Sequence, residues 1–192
     1  MNRILNRMRA LVAACGLAAL VTATPAAFAQ EKTAHEPGLG FQGIGARIGF
    51  VDPEGSSSTL GLGMHIDAGQ IVRGVHLVPL VEYWSVGTSA GGFNIDRSDL
   101  AIGTDLVVDF PMQDSRIFPY AGGGLGIHFL GFDSNVPGAD NDTRSKLGLN
   151  IHGGIRNDIM PNMSLFGEAR YNFVENANQL KILGGFTYRF IY

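Results

Sequence analysis

The residues of this sequence that could do chemistry are histidines and carboxylates spread along the chain. His65 and His76 flank a predicted turn, with Asp67 nearby. If that turn centres near Gln70–Ile71, the two rings could be cross-strand neighbours. Two histidines and a carboxylate form a possible metal set. Packing in a polar interior accounts for the same three residues more simply, so we expect no metal and no other cofactor.

The other candidate motifs are incomplete. His128 is flanked by Gly126-Ile127 and Phe129-Leu130, so it belongs to no compact Ser/His/acid motif, and we expect no enzyme. The oxygen-rich segment Asp140-Asn141-Asp142 could bind surface Ca²⁺, but it lacks the spacing and Gly of an EF-hand loop. The glycine-rich stretch before His128 does not fit the dinucleotide-binding spacing.

Composition narrows the fold class. The chain has 192 residues, which allows one domain, and 27 of them are glycine. These glycines have no three-residue period, which excludes collagen, and each would cost a helix interior about 1 kcal/mol, which argues against a mostly helical protein. The formal charge of −3 argues against a nucleic-acid partner. We therefore expect a glycine-rich β-protein.

The first 29 residues have the three-part pattern of a secretory signal peptide. Met1–Arg9 is basic, Ala10–Ala23 is apolar, and the small-x-small site Ala27-Phe28-Ala29 predicts cleavage after Ala29. The apolar run is shorter than the roughly 20 residues that a membrane-spanning helix needs. Cys15 stands too close to the basic leader for a lipoprotein signal. The mature chain would therefore contain no cysteine and no disulfide.

After a short periplasmic lead at residues 30–38, the chain alternates with period two almost to its end. This pattern predicts eight strands that average about ten residues, the length with which a tilted strand crosses a membrane. The predicted strands are Gly43–Val51, Leu60–Gly69, Val75–Trp84, Asp99–Phe110, Pro119–Phe129, Leu147–Arg156, Leu165–Phe173 and Leu180–Tyr192. Turn-forming segments such as Pro53-Glu54-Gly55, Gly91-Gly92, Pro137-Gly138 and Pro161-Asn162 separate them.

The alternation divides each predicted strand into an apolar face and a charged face. No Asp, Glu, Lys, Arg or His falls on the apolar face. The other face is rich in glycine and carries fifteen ionisable residues: Asp67, Glu82, Asp99, Asp105, Asp109, Glu168, Arg47, Arg156, Arg170, Lys181, Arg189, His65, His76, His128 and His152. Acids and fixed bases nearly balance, as buried charges require.

Two architectures give such alternation. A soluble barrel, such as a lipocalin-like periplasmic binder, would turn its charges to water, whereas a transmembrane barrel turns them to its lumen. The glycine-rich polar face favours the transmembrane barrel, as do aromatic residues near strand ends, such as Phe50, Tyr83 and Phe110. The connections after the odd-numbered strands total about 45 residues against about 21 after the others, which is typical of outer-membrane barrels with long outside loops.

The signal peptide, the eight strands, the segment Pro119–Gly126 and the aromatic end Gly185–Tyr192 resemble small bacterial outer-membrane barrels of the OmpA/OmpX-like superfamily, over residues 39–192. The resemblance implies an all-β, closed, eight-stranded antiparallel transmembrane barrel. It also implies a monomer in outer-membrane lipids, inserted by the barrel-assembly machinery, which would read the C-terminal strand up to Tyr192. Some such barrels modify lipid A with Ser, His and an acid, which keeps that enzyme class as an alternative.

A lumen of eight strands is just wide enough for side chains to fill it. We expect an internal network that plugs it, formed by Arg47, His65, Asp67, His76, Glu82, Asp105, His128, His152, Arg156, Glu168, Arg170 and Arg189. The function would then be structural or one of surface interaction, with an extracellular ligand at segments such as Ser85–Ser98 and Leu130–Lys146. A small-solute pore is a further alternative.

Overall fold

The computed structural model describes residues 38–90, 93–112, 115–134 and 142–190. The predicted signal peptide with Cys15, the lead up to residue 37, and the C-terminal Tyr192 lie outside the described residues. So do Gly91-Gly92, Pro137-Gly138 and the Asp140-Asn141 part of the oxygen-rich segment. The described part contains no helix that is long and apolar enough to cross a membrane.

The eight predicted strands are all present, and they form a closed antiparallel barrel in sequence order. Their bounds are β1 Leu39–Pro53, β2 Thr59–Val72, β3 Val75–Ala90, β4 Phe93–Asp109, β5 Ile117–Ser134, β6 Asp142–Met160, β7 Met163–Val174 and β8 Gln179–Arg189. The sheet closes because β1 pairs with both β2 and β8, so that Ile44 lies opposite Ile66 on one side and Tyr188 on the other. Closure gives every strand a partner on each side, as lipid requires.

The apolar face of each strand points outward and the charged face inward. Outward side chains such as Leu62 and Leu149 are 61% and 58% exposed, whereas the inward Arg170 and Lys181 are 2% and 1% exposed. A barrel in water would have the opposite arrangement, because burial of apolar surface drives its folding. This exposure pattern matches a protein whose surroundings are lipid.

The barrel has two different ends. We call the end formed by the connections after β1, β3, β5 and β7 the loop rim, and the end with the start of β1 and the last residue of β8 the terminal rim. The strands β3 to β6 have 16 to 19 residues each, whereas the other four strands have 11 to 15. The additional residues of β3 to β6 lie at the loop rim. Outward residues beyond the apolar band on these strands are small or polar, namely Ser85, Ser98, Gly131 and Ser145.

The segments Ser85–Ser98 and Leu130–Lys146, expected to be loops, are therefore largely strand. The described parts of both segments continue β3, β4, β5 and β6 past the apolar band. The sequence did not reveal this, because the outward residues of these extensions are small or polar and the inward ones include both apolar and charged residues, such as Phe132 and Arg144, so the regular alternation ends. The backbone pairing nevertheless continues, for example between Ser85 and Ser98 and between Leu130 and Arg144.

The turn between β2 and β3 corrects a second expectation. It lies at Arg73-Gly74, where Gly74 has a φ of 78°, a left-handed conformation that glycine adopts without steric cost. It does not centre near Gln70–Ile71. His76 therefore lies opposite Gln70, while His65 lies opposite Leu80, so the two histidines are not cross-strand neighbours. The predicted turn at Pro161-Asn162 is present.

We predict that Leu125→Arg lowers the free energy of unfolding by about 2–4 kcal/mol, because Leu125 points outward from the middle of the apolar band. The control Ser145→Arg, exposed beyond that band on β6, should cost at most about 1 kcal/mol. Urea unfolding in lipid vesicles, followed by the fluorescence of the single tryptophan, measures both. Equal costs for the two variants would contradict the proposed depth of Leu125 in lipid.

Candidate functional site

Glycines on the inward face make room for large side chains of neighbouring strands. A Cβ atom at any of four such glycines would collide with an inward ring or carboxylate. The pairs are Gly45 with His65, Gly122 with His152, Gly124 with Asp105, and Gly148 with His128. In a narrow barrel this complementarity lets charged residues occupy the lumen without forcing the strands apart.

The middle of the lumen holds six interacting charged residues, which we call the central cluster. Its members come from five strands and are Arg47, Glu82, Asp105, Glu168, Arg170 and Lys181. All six are buried. Three acids and three bases give a cluster with no net charge, so each buried charge can be compensated by a charge of opposite sign instead of by water.

Arg170 connects both sides of the central cluster. Its Nη2 donates to Asp105 Oδ2 over 2.7 Å, and its Nε donates to Glu168 Oε1 over 2.9 Å. Asp105 lies on β4, across the barrel from Arg170 on β7. The bond to Asp105 therefore ties β7 to β4 across the lumen, while Glu168 lies on the same strand as Arg170. Both hydrogen bonds are charge-assisted, which makes them stronger than neutral ones.

Glu82 is the second connection across the lumen. Lys181 Nζ donates to Glu82 Oε2 over 2.5 Å, and Arg47 Nη1 lies 3.3 Å from Glu82 Oε1. The same Arg47 nitrogen lies 3.4 Å from Glu168 Oε1, which joins the two carboxylates through one guanidinium. The ion pairs thus form one continuous network rather than separate pairs.

Neutral side chains complete the hydrogen bonding of these carboxylates. Tyr120 Oη donates to Glu168 Oε2 over 3.0 Å, and Asn150 Nδ2 donates to Asp105 Oδ1 over 2.8 Å. The ring of His152 lies against this layer, with Nδ1 3.8 Å from Asp105 Oδ2. Buried carboxylates need such extra donors, because their ion pairs alone leave some lone pairs of the oxygens without a hydrogen-bond donor.

A smaller polar layer lies between the central cluster and the loop rim. Asp99 Oδ2 accepts a hydrogen bond from Gln179 Nε2 over 2.6 Å and lies 2.8 Å from His128 Nδ1. Trp84 Nε1 in turn donates to Gln179 Oε1 over 3.2 Å. At the rim itself, Lys146 donates a hydrogen bond to Glu175, which holds the pKa of the Glu175 carboxyl below its usual value.

Another polar layer lies towards the terminal rim. His76 Nδ1 is 3.1 Å from Asp67 Oδ1, Arg156 Nη1 is 2.8 Å from Asp109 Oδ2, and Arg189 Nη1 is 3.4 Å from Asp158 Oδ1. His65 takes no part in the pairing of His76 with Asp67; its Nε2 lies 2.9 Å from Thr187 Oγ1 on β8. Across residues 38–90, 93–112, 115–134 and 142–190, no three His, Cys, Asp or Glu side chains form a metal site.

The twelve residues predicted from the sequence to form the lumen network all line the lumen, at different depths along the barrel axis. Five belong to the central cluster, and His152 lies beside it. His128 lies towards the loop rim. His65, Asp67, His76, Arg156 and Arg189 line a cavity of about 40 Å³ towards the terminal rim.

Four partners were missed in the sequence. Lys181 and Asp99 were recognised as inward-facing, but their central position depends on the register between strands. Gln179 lies just before the predicted start of β8, and Trp84 at the predicted end of β3. Extending the inward alternation of β8 by one residue would have identified Gln179. Trp84 is already the last inward residue of the predicted β3, but it is not ionisable and so was not part of the predicted network.

The central cluster predicts a large cost for removing Arg170. Arg170→Met should lower the free energy of unfolding by about 3–5 kcal/mol, since it leaves buried carboxylates without their cation. Arg144→Met, which removes the exposed ion pair of Arg144 with Asp142, should cost under about 1 kcal/mol. Urea titration in vesicles measures both.

Adding Asp105→Asn to Arg170→Met should recover part of the loss, because the two residues share a direct ion pair. If the double variant instead lost the sum of the two single costs, the energetic link between Arg170 and Asp105 would be refuted.

The comparisons with known proteins identify the family. The family model described as "Outer membrane protein beta-barrel domain" matches residues 13–190. No curated protein sequence matches the chain.

Among solved structures, Neisserial surface protein A is 21% identical, with a TM-score of 0.64 over 80% of this chain and 99% of its own. Ail of Yersinia pestis, solved in complex with the heparin analogue sucrose octasulfate, is 16% identical, with a TM-score of 0.51 over 78% of this chain and 99% of its own. The N-terminal barrel domain of Pseudomonas aeruginosa OprF is 12% identical, with a TM-score of 0.51 over 79% and 99%. At these identities the likeness shows the fold.

Because the family model covers most of the chain, and the described barrel has the fold and the lipid-facing surface of that family, this protein belongs to the outer membrane β-barrel family and resides in the outer membrane.

Proposed function

We propose that this protein is a sealed outer-membrane barrel with a structural or surface-interaction role, rather than a channel. The central cluster carries the proposal. Its ion pairs join β1, β3, β4, β7 and β8 across the lumen. A solute passing along the barrel axis would have to separate buried ions whose partners lie on different walls, and each uncompensated charge would be costly.

The free space in the lumen supports a seal. The cavities beside the central cluster have volumes of about 40, 20 and 10 Å³. One water molecule needs roughly 10–15 Å³ of such space. These cavities therefore have room for only a few separate waters and offer no space for a small solute, which makes a pore the weaker alternative.

The position of His128 argues against lipid A modification. Its ring points into the barrel, where Nδ1 faces Asp99 and the ring lies against Gly148. An acyl chain of the outer leaflet approaches the opposite, outward face of β5. The polar layer around His128 is thus explained as hydrogen-bonded packing of inward side chains between the central cluster and the loop rim.

The loop rim is the part of the molecule suited to face outside. At this end β3 to β6 rise beyond the apolar band, and outer-membrane barrels place their longer connections outside and their termini in the periplasm. Ail, which shares this fold, was solved with a heparin analogue, so a barrel of this kind can bind a ligand. Likeness in fold alone names no ligand for the present chain.

The closed barrel and its last strand also bear on the oligomeric state and on membrane insertion. The proposed state is a monomer, because the closed barrel pairs β1 with β8 of the same chain. The C-terminal strand, rich in outward aromatic residues such as Phe186 and Tyr188, is the proposed signal for the barrel-assembly machinery.

The seal predicts that the purified protein in planar lipid bilayers produces no stable conductance. Replacing Glu82, Glu168, Arg170 and Lys181 together by Ser removes two acids and two bases, keeps the net charge, and should open a measurable ion path. Circular dichroism of the variant establishes that it is folded before conductance is recorded. Steady open-channel current through the unmodified protein would overturn the seal.

Orientation can be tested on intact cells with single cysteines, because the predicted mature chain has none. Ser57→Cys lies exposed in the loop-rim connection after β1, and Arg73→Cys lies exposed in the β2–β3 turn at the terminal rim. A membrane-impermeant maleimide should label Ser57→Cys on intact cells and Arg73→Cys only after lysis. The reverse pattern would place the terminal rim outside.

A further inference from the structure

A cavity of about 480 Å³ opens at the loop rim, and we call it the vestibule. It lies above Trp84 and Gln179, and the extended parts of β4, β5 and β6 form its tall wall. The connections after β1 and β7 form its low side. Small-molecule sites commonly have volumes of about 300–1,000 Å³, so the vestibule has the size of a ligand pocket.

One strip of the vestibule, from the floor up the β5 side of the tall wall, is apolar. Trp84 forms part of the floor, and its one polar atom is already used in the hydrogen bond to Gln179. Leu130 and Phe132 add apolar surface on β5. A flat apolar or ring-shaped group could be desolvated there without leaving a polar group of the floor unpaired.

Two guanidinium groups line the vestibule above this floor. Arg97 Nη1 donates to Gly55 O and Ser56 Oγ, each over 3.0 Å, which holds the side chain in place. Within the described ranges, Arg97 makes no ion pair with a carboxylate. Arg144 donates through Nε to Asp142 Oδ2 over 2.6 Å, and its terminal nitrogens have no partner among the described residues. Guanidinium groups of this kind bind oxyanions with paired hydrogen bonds.

The acids of the vestibule are already engaged. Glu54 Oε2 accepts a hydrogen bond from Asn178 Nδ2 over 2.9 Å, and Asp142 is the partner of Arg144. Each carboxylate thus has a partner, and each guanidinium uses one nitrogen in the contacts above and keeps further N–H donors without a partner among the described residues. A cationic ligand would meet Arg97 and Arg144 first, so the chemistry favours a negatively charged one.

We propose that the vestibule binds an organic anion with an apolar ring-sized body and a sulfonate, sulfate, phosphate or carboxylate head group. The body packs on Trp84 and Phe132, and the head group accepts hydrogen bonds from Arg97 and Arg144. The role of the site rests on the proposed function, since a ligand reaches it from the external medium only if the loop rim faces outside.

The test uses benzenesulfonate as the probe and the full mature protein in lipid nanodiscs. Trp84 is the single tryptophan of the chain, so its fluorescence reports on the vestibule floor. Ligand-observed NMR of the probe gives a second readout. Benzenesulfonamide, which has the same ring without the charge, is the matched probe. We expect saturable binding of the sulfonate in the millimolar range or tighter, and at least tenfold weaker binding of the sulfonamide.

Two pairs of substitutions distinguish binding in the vestibule from nonspecific attraction of the anionic probe to positive charge. Arg97→Gln combined with Arg144→Gln should weaken sulfonate binding by about tenfold or more, because both charged donors are lost. Arg73→Gln combined with Arg116→Gln removes the same charge at the terminal rim and should leave binding unchanged. Both pairs contain exposed arginines, so folding should be preserved, and circular dichroism checks this.

Three results would overturn the proposal: no saturable binding up to solubility, equal affinity for the two probes, or equal weakening by the two variant pairs. Binding in nanodiscs does not depend on which rim faces outside. Failure here therefore rejects the vestibule site alone, whereas conductance and cysteine labelling test the sealed, outward-facing barrel.

Discussion

Charges buried inside a narrow membrane-spanning barrel need partners among the other inward side chains, because neither lipid nor bulk water solvates them there. The central cluster meets this constraint with three acids and three bases drawn from five strands. Removing any one of them leaves its partners uncompensated. Since most of these pairs join different strands, the network that balances the charges also links the walls of the barrel, and it is the basis of the proposed seal.

The glycines follow from the same constraint. An arginine or a histidine that points into an eight-stranded barrel reaches the neighbouring strand, and a Cβ at that point would collide with it. Gly148 beneath the His128 ring and Gly122 beneath the His152 ring are examples. The glycine content that first argued against a helical protein thus has a specific role, which is to let large polar side chains lie flat against the inner wall.

The sequence predicted the architecture well because lipid imposes a strict two-residue alternation, which revealed all eight strands and the inward residues. Three features were beyond it. The partners of Lys181 and Gln179 depend on register across the barrel. The separation of His65 from His76 depends on a turn at Arg73-Gly74. The extensions of β3 to β6 at the loop rim have small or polar outward residues and mixed apolar and charged inward ones, so the alternation ends where the membrane does, although hydrogen bonding continues.

The central claim is that a closed barrel, with lipid on its apolar face and a paired charge network inside, is the stable form of this protein. Comparing unheated and boiled samples on a denaturing gel tests it most directly, since such a barrel should resist detergent until heated. The account predicts that the unheated protein, extracted from membranes only by detergent, migrates as a distinct band that boiling converts to the unfolded position. Extraction as a monomer without detergent, together with one band unchanged by heating, would contradict it.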